Sequence, residues 1–255
     1  MTDGVDLCTP NLPGGIVACL FDLDGVLTET ATVHAAAWRE TFDDFLRGWA
    51  ARTGEPFVPF DPVADYDAYV DGRPRLDGTR AFLAARGIHL PEGGRDDPPD
   101  ASTVHALSDR KNRLVLHKIE HDGVTVYPGS LRFLRAVRAV GMPTAVVSSS
   151  ANCAEVLART GLDQYVNVRI DGIVAERDHL PGKPAPDTYL AGAHALDLPP
   201  AASAVFEDAL AGVEAGRAGG FGLVVGVDRV GQADELRRHG ADTVVTDLAE
   251  LLVTR

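Results

Sequence analysis

Phe21-Asp22-Leu23-Asp24-Gly25 closes an apolar run, residues 16–20, that has the length and β-branched start of a strand. Two carboxylates thus stand at i and i+2 where a buried strand gives out, and Gly25 permits a sharp turn behind them. Along a strand, alternate side chains face opposite ways, but beyond its end both carboxylates can turn into one crevice. Such a pair at the edge of a core is costly unless a cation neutralises it. The chemistry that fits is Mg²⁺ binding, with one carboxylate left to act as a nucleophile. Two blander readings compete. A calcium loop counted from Asp22 needs Glu at its last ligand position, and that position is Val33. An ordinary strand-to-loop turn uses the same residue types, so these five residues alone leave turn and site open.

The elements that must position the pair follow from the rest of the chain. A helical pattern runs over residues 30–51, and the Pro-, Asp- and Gly-rich stretch 54–77 reads as loop. A short helix over 78–86, a loop over 91–100 and a long helix over 102–121 come next. Residues 30–124 therefore read as an α-helical module of their own. After Tyr127-Pro128-Gly129 the pattern alternates: helix 130–140, strand 143–147, helix 152–160, helix 185–196, strand 204–206, helix 209–218, strand 221–227, helix 232–238, strand 243–245 and a last helical turn. Short apolar strands alternating with helices predict an α/β fold with a doubly wound, Rossmann-like parallel-sheet core. That core takes residues 1–29 and 125–255, and the helical module is inserted after its first strand.

In such sheets ligands bind beyond the carboxyl ends of the strands. The second strand ends in Ser148-Ser149-Ser150, followed by Ala151-Asn152 at a helix start, and the third ends in Glu207-Asp208. Between them Lys183 precedes a proline-led helix start. Singly, these are helix caps, a surface charge and a solvated turn. Together they would gather on one rim, and the site reading prevails. Of 24 basic residues only Lys111, Lys118 and Lys183 are lysines, a suggestion that lysine is kept where a compact ammonium is needed. These parts suit phosphoryl transfer. Asp22 would attack phosphorus in line, Asp24 would protonate the leaving oxygen and later deprotonate the attacking one, and Ser148 and Lys183 would hold the remaining phosphate oxygens.

The four motifs in order, Phe21-Asp22-Leu23-Asp24-Gly25-Val26, Ser148, Lys183 and Glu207-Asp208, resemble those of the haloacid dehalogenase superfamily across essentially the whole chain. The resemblance implies Asp22, Asp24, Ser148 and Lys183 as catalytic residues, with Asp22, Asp24, Glu207 and Asp208 around Mg²⁺. The inserted module resembles the helical cap of C1-type members. Within the superfamily the chain is most similar to the β-phosphoglucomutase-like subfamily, through Thr28-Glu29-Thr30-Ala31, His34, Trp38, Arg75 after Gly72, Arg110-Lys111-Asn112, Tyr127-Pro128-Gly129 and Lys183-Pro184-Ala185-Pro186-Asp187. That likeness implies His34, Trp38, Arg75, Lys111, Ser149, Ser150 and Asn152 as substrate contacts, with Arg75 on a phosphate and Lys111 near the sugar or Asp24. The chain departs from the subfamily at Ala151, where a lysine is usual, at Pro74, where a small polar residue is usual, and in a longer 52–101 region.

The expected substrate is a phosphorylated sugar. The leading activity is conversion of β-glucose 1-phosphate to glucose 6-phosphate, and the alternative is a phosphatase using the same machinery. A phospho-accepting signalling receiver shares the acidic residues, hydroxyl and lysine but has no helical insertion of this length. With 255 residues and a net charge of −13, the chain is not expected to bind nucleic acid or an anionic membrane. Met1-Thr2-Asp3 is acidic where a signal peptide would be basic, and no apolar run has membrane-spanning length. Cys8, Cys19 and Cys153 have no metal-like spacing, so a cytoplasmic protein with free thiols is expected, as a monomer. His117 and His121, four apart with no third ligand in pattern, read as a solvated helix face.

Overall fold

The computed structural model describes residues 8–254, so Met1-Thr2-Asp3 lies outside the described residues. The chain divides into two compact units: the described residues up to Glu29 together with those from Thr125 onward, and Thr30–Val124.

The first unit is built on six parallel strands: β2 (Ala18–Phe21), β3 (Thr144–Val147), β4 (Val168–Ile170), β5 (Ser203–Glu207), β6 (Leu223–Val227) and β7 (Thr243–Val245). Their spatial order is β4-β3-β2-β5-β6-β7. β2, β3, β5 and β6 are buried throughout, as expected of strands covered on both faces, and they read in sequence as apolar runs rather than alternations. Helices α4 (Pro128–Ala139), α5 (Cys153–Thr160), α6 (Gly172–Arg177), α7 (Asp187–Ala195), α8 (Leu210–Ala218) and α9 (Ala233–Arg238) flank the sheet. Chain order runs outward from β2 to β4 on one side, then jumps to β5 and runs outward to β7 on the other. The carboxyl ends of β2 and β5 therefore form the switch point where open α/β sheets bind ligands. Behind that point Phe21 stacks on Phe206, with ring centroids 4.6 Å apart.

Two pieces of this unit lie outside the sequence reading. β4 and α6 fill the stretch between α5 and α7, where Val166-x-Val168-x-Ile170 alternates and Asp171 caps α6 by accepting from the N–H groups of Ile173 and Val174. β1 (Cys8–Pro10) pairs antiparallel with β8 (Leu252–Thr254) in a separate two-stranded sheet.

The second unit contains α1 (Thr30–Thr53), a π-helical turn (Tyr66–Val70), α2 (Arg75–Ala85) and α3 (Val104–Asp122). Its core is aromatic: Trp38 stacks on Phe42 at 5.0 Å, and Phe42 also meets Phe82 at 4.0 Å. The 54–77 region is thus not loop throughout. α2 starts at Arg75, directly after Pro74, and not at Gly78. Gly78 is inside the helix, where a Cβ would come within 3.2 Å of Val70 Cγ1, so this glycine marks a close approach rather than a boundary. Thr103 caps α3 by accepting from the N–H of Ala106. Among the described residues no helix is long and apolar enough to cross a membrane.

Candidate active site

Strand register sets the frame. Phe21 is paired with Val146 of β3 and with Phe206 of β5, so Asp22, Val147 and Glu207 stand level where three parallel strands end. The Asp22 N–H still donates to Phe206 O at 2.9 Å, continuing the ladder one residue further and fixing the backbone beneath its carboxylate.

Lys183 is the hub. Its ammonium, fully enclosed, donates to Asp22 Oδ1 at 2.5 Å, Glu207 Oε1 at 2.6 Å and Val147 O at 3.0 Å, using all three protons on the ends of the three strands. Burial alone would lower its pKa, but the adjacent Asp22 and Glu207 carboxylates outweigh burial and hold it above its ordinary value. Glu207 accepts further bonds from Tyr189 Oη at 2.9 Å and from the Ala209 N–H at 3.1 Å. A Cβ on Gly212 would lie 1.7 Å from Glu207 Oε1, so α8 must present a glycine there. Burial, and then Glu207, keep the Tyr189 hydroxyl protonated and donating.

Asp22, Glu207 and Asp208 are all buried, with one carboxylate oxygen of each lying within 4.8 Å of the others. Three carboxyl groups face one ammonium in an enclosed space, a surplus of negative charge once all three are ionised. Burial, opposed by Lys183 but reinforced by Glu207 and Asp24, pushes the Asp22 carboxyl well above its ordinary range. Hard oxygen donors with this surplus of negative charge fit a divalent cation such as Mg²⁺. Asp24 is not a member of this group. Its Oδ2 accepts from Ser148 Oγ at 3.3 Å, at the edge of the cluster.

The hydroxyl loop after β3 is locally determined. The Ser148 N–H donates to Ile170 O, while Ser148 Oγ accepts from the Ser150 N–H and Ser150 Oγ from the Asn152 N–H, each at 3.1 Å. A Cβ on Gly172 would lie 2.8 Å from Ser149 O, so the β4–α6 junction packs directly against this loop. Ser148 is thereby set beside Asp24, with Ser149, Ser150 and Asn152 following it in the same loop. The thiols of Cys19 and Cys153 are pushed well up by burial and offer no nucleophile.

In the helical unit, three of the expected residues meet. Lys111 Nζ lies 2.9 Å from His34 Nδ1 and 4.7 Å from the centroid of the Trp38 ring, with Lys111 and Trp38 buried. Arg75 stands at the start of α2, where Nη2 donates to Asp109 Oδ1 at 3.1 Å.

Four residues with roles in this architecture were not singled out from sequence: Tyr189, Gly212, Arg229 and Gln232. Arg229 donates to the carbonyls of Gly25 and Val26, and Gln232 Nε2 to that of Asp208. Gly212, five residues beyond Glu207 on the following helix, carried the only local signal.

A profile of the family described as haloacid dehalogenase-like hydrolase matches residues 16–220. Over 244 residues the chain is 57% identical to a β-phosphoglucomutase of Mycobacterium tuberculosis, covering 94% of this chain and 93% of that protein. It is 29% identical over 240 residues to hexitol phosphatase A of Escherichia coli, covering 92% of this chain and 93% of the other. A crystal structure of β-phosphoglucomutase from Clostridium difficile superposes with a TM-score of 0.72 at 24% identity, covering 92% and 93% of the two chains, and shows the same fold.

Proposed function

The chain belongs to the haloacid dehalogenase-like hydrolase family, and we propose that it is a phosphosugar mutase of the β-phosphoglucomutase type, working through phosphorylated Asp22. The observation that carries this reading is the 57% identity to a β-phosphoglucomutase, which extends over 94% of the chain and so over both units. The geometry agrees with it. Asp22 sits at the switch point with Lys183 on one oxygen, and Asp24 stands one step outward on the same rim.

Phosphorylated Asp22 gives its phosphoryl group to the 6-hydroxyl of β-glucose 1-phosphate, and Asp24 takes the hydroxyl proton. The bisphosphate then turns over and returns its 1-phosphoryl group to Asp22, while Asp24 protonates the departing anomeric oxygen. The phosphorus–oxygen bond to Asp22 thus breaks in the first half and forms again in the second. Lys183 holds Asp22 oriented and offsets charge on the transferring group. Asp22, Glu207 and Asp208 would hold Mg²⁺, whose chemistry when bound is neutralisation of phosphoryl oxygens. His34, Trp38 and Lys111 form a cationic, aromatic-walled group suited to a sugar hydroxyl face, and Arg75 to the phosphate not being transferred. The helical unit acts as the cap.

One observation favours a phosphatase: Ala151 stands where the mutases usually carry a lysine, which thins the cation supply for a second phosphate. The deciding experiment is incubation with β-glucose 1-phosphate, Mg²⁺ and a trace of β-glucose 1,6-bisphosphate. Glucose 6-phosphate as product supports the mutase, and free glucose with inorganic phosphate establishes the phosphatase.

A further inference from the structure

We propose that Arg229 is a positioning residue for the loop that carries Asp24. Arg229 lies just beyond β6, and 204 residues separate it from Gly25. Its guanidinium donates from Nε to Gly25 O at 2.7 Å, from Nη2 to Val26 O at 3.3 Å and from Nη1 to Thr246 O at 2.8 Å. Its Cζ lies 3.6 Å from the centroid of the Tyr127 ring. Among the described residues no carboxylate pairs with it, so its donors are spent on three main-chain carbonyls.

The consequence falls on Asp24. Gly25, its neighbour, has φ +92°, one of several conformations open to glycine, so the hydrogen bonds around it select this one. The Gly25 N–H is fixed by Thr28 O at 2.7 Å, and its carbonyl is fixed by Arg229, so both peptide groups that flank Gly25 are pinned. The loop carrying Arg229 is itself rigid, because Asp228 Oδ1 accepts from the N–H groups of Val230, Gly231 and Gln232. Gln232 Nε2 then reaches Asp208 O at 3.0 Å. One loop thus holds the main chain of both acidic segments, Asp24-Gly25 and Asp208. Only a planar fork can span the three carbonyls while stacking on a ring, so lysine is not an equivalent here.

This inference rests on Asp24 being the acid and base of the proposed reaction, and the experiment separates the two. The rate at which Asp22 is phosphorylated in a single turnover is measured with β-glucose 1,6-bisphosphate, whose leaving oxygen needs a proton, and with p-nitrophenyl phosphate, whose leaving group does not. Arg229→Ala, Arg229→Lys and Asp24→Asn are compared, all at saturating Mg²⁺. The expected result is that Asp24→Asn is slowed selectively with the bisphosphate. Arg229→Ala shows the same selectivity, reaching up to about 100-fold, and Arg229→Lys is intermediate. Equal slowing of both donors in the Arg229 variants, beside a selective Asp24→Asn, overturns the positioning role and leaves the acid–base reading standing. An unselective Asp24→Asn overturns that reading and this inference with it. Should Arg229→Ala not fold, Arg229→Lys carries the same test.

Discussion

Gly25 and Asp208 compete for the same few ångströms: a Cβ built on Gly25 would lie 1.8 Å from Asp208 Oδ2. The turn behind the first two aspartates and the last acidic residue of the site are therefore packed face to face, and the contact exists only because residue 25 has no side chain. Gly25→Ala adds backbone strain of about 1–3 kcal/mol at positive φ and drives the Asp208 carboxylate out of the cluster. Denaturant unfolding should report the loss of stability, and stabilisation by Mg²⁺ should fall with it. Gly141, also at positive φ but with nothing within 4 Å of an added Cβ and set between α4 and β3, supplies the control. Gly141→Ala should carry a strain cost and keep the Mg²⁺ response.

Lys183 compensates two buried carboxylates at once. Lys183→Ala leaves both uncompensated and should cost about 3–5 kcal/mol in urea unfolding, the range for breaking a buried ion pair from one side. A change below about 1 kcal/mol, the range of exposed surface pairs, would contradict the enclosure described here.

The raised carboxyl of Asp22 gives metal binding a pH dependence with a definite sign. Its pKa in the folded, metal-free protein lies well above the ordinary 3.8, through burial first, opposed by Lys183 and reinforced by Glu207 and Asp24. The folded state therefore keeps a proton that the unfolded chain has released. The associated stability is fully present below 3.8 and is lost as pH rises through the raised value. A divalent cation on Asp22 displaces that proton. The stabilisation by a fixed Mg²⁺ concentration should consequently grow as pH rises through this window, with proton release on binding. Melting temperatures with and without Mg²⁺ across that window, together with calorimetry in buffers of different ionisation enthalpy, check both parts.

Arg75 and Asp109 form a pair with each side chain one-third exposed, so it is worth about 1 kcal/mol or less and yields readily to a phosphate. Arg75→Ala should raise KM for the sugar phosphate by about 10- to 100-fold, the loss of one charge-assisted hydrogen bond, with single-turnover phosphorylation by p-nitrophenyl phosphate unchanged. Asp109→Asn, which releases the guanidinium, should lower KM.

How far the chain can be read without coordinates depends on how local each signal is. β2, β3 and β5 are legible because strands buried on both faces are unbroken apolar runs, and the residues that end them, Asp22, Ser148 and Glu207, announce themselves by chemistry in an apolar setting. β4 shows only the brief alternation Val166-x-Val168-x-Ile170 between two helical patterns, while β1 and β8 find their pairing only in each other, far apart in the sequence. Gly78 misleads because a glycine required by packing against Val70 looks the same in sequence as one that ends or begins a helix. Arg229 is illegible for a different reason. Its partners are carbonyl oxygens of Gly25, Val26 and Thr246, and main-chain acceptors leave no residue type to recognise. Tyr189 likewise meets Glu207 only once α7 has folded onto the sheet.

The proposed mechanism depends first on Asp22 carrying the phosphoryl group. It is tested most directly by mixing the enzyme with β-glucose 1,6-bisphosphate and Mg²⁺, quenching in acid within one turnover, and mapping the phosphate by peptide mass spectrometry. The phosphoryl group is expected on Asp22, with neither incorporation nor turnover in Asp22→Asn. Phosphate found on another residue, or an Asp22→Asn variant that still turns over, would contradict it.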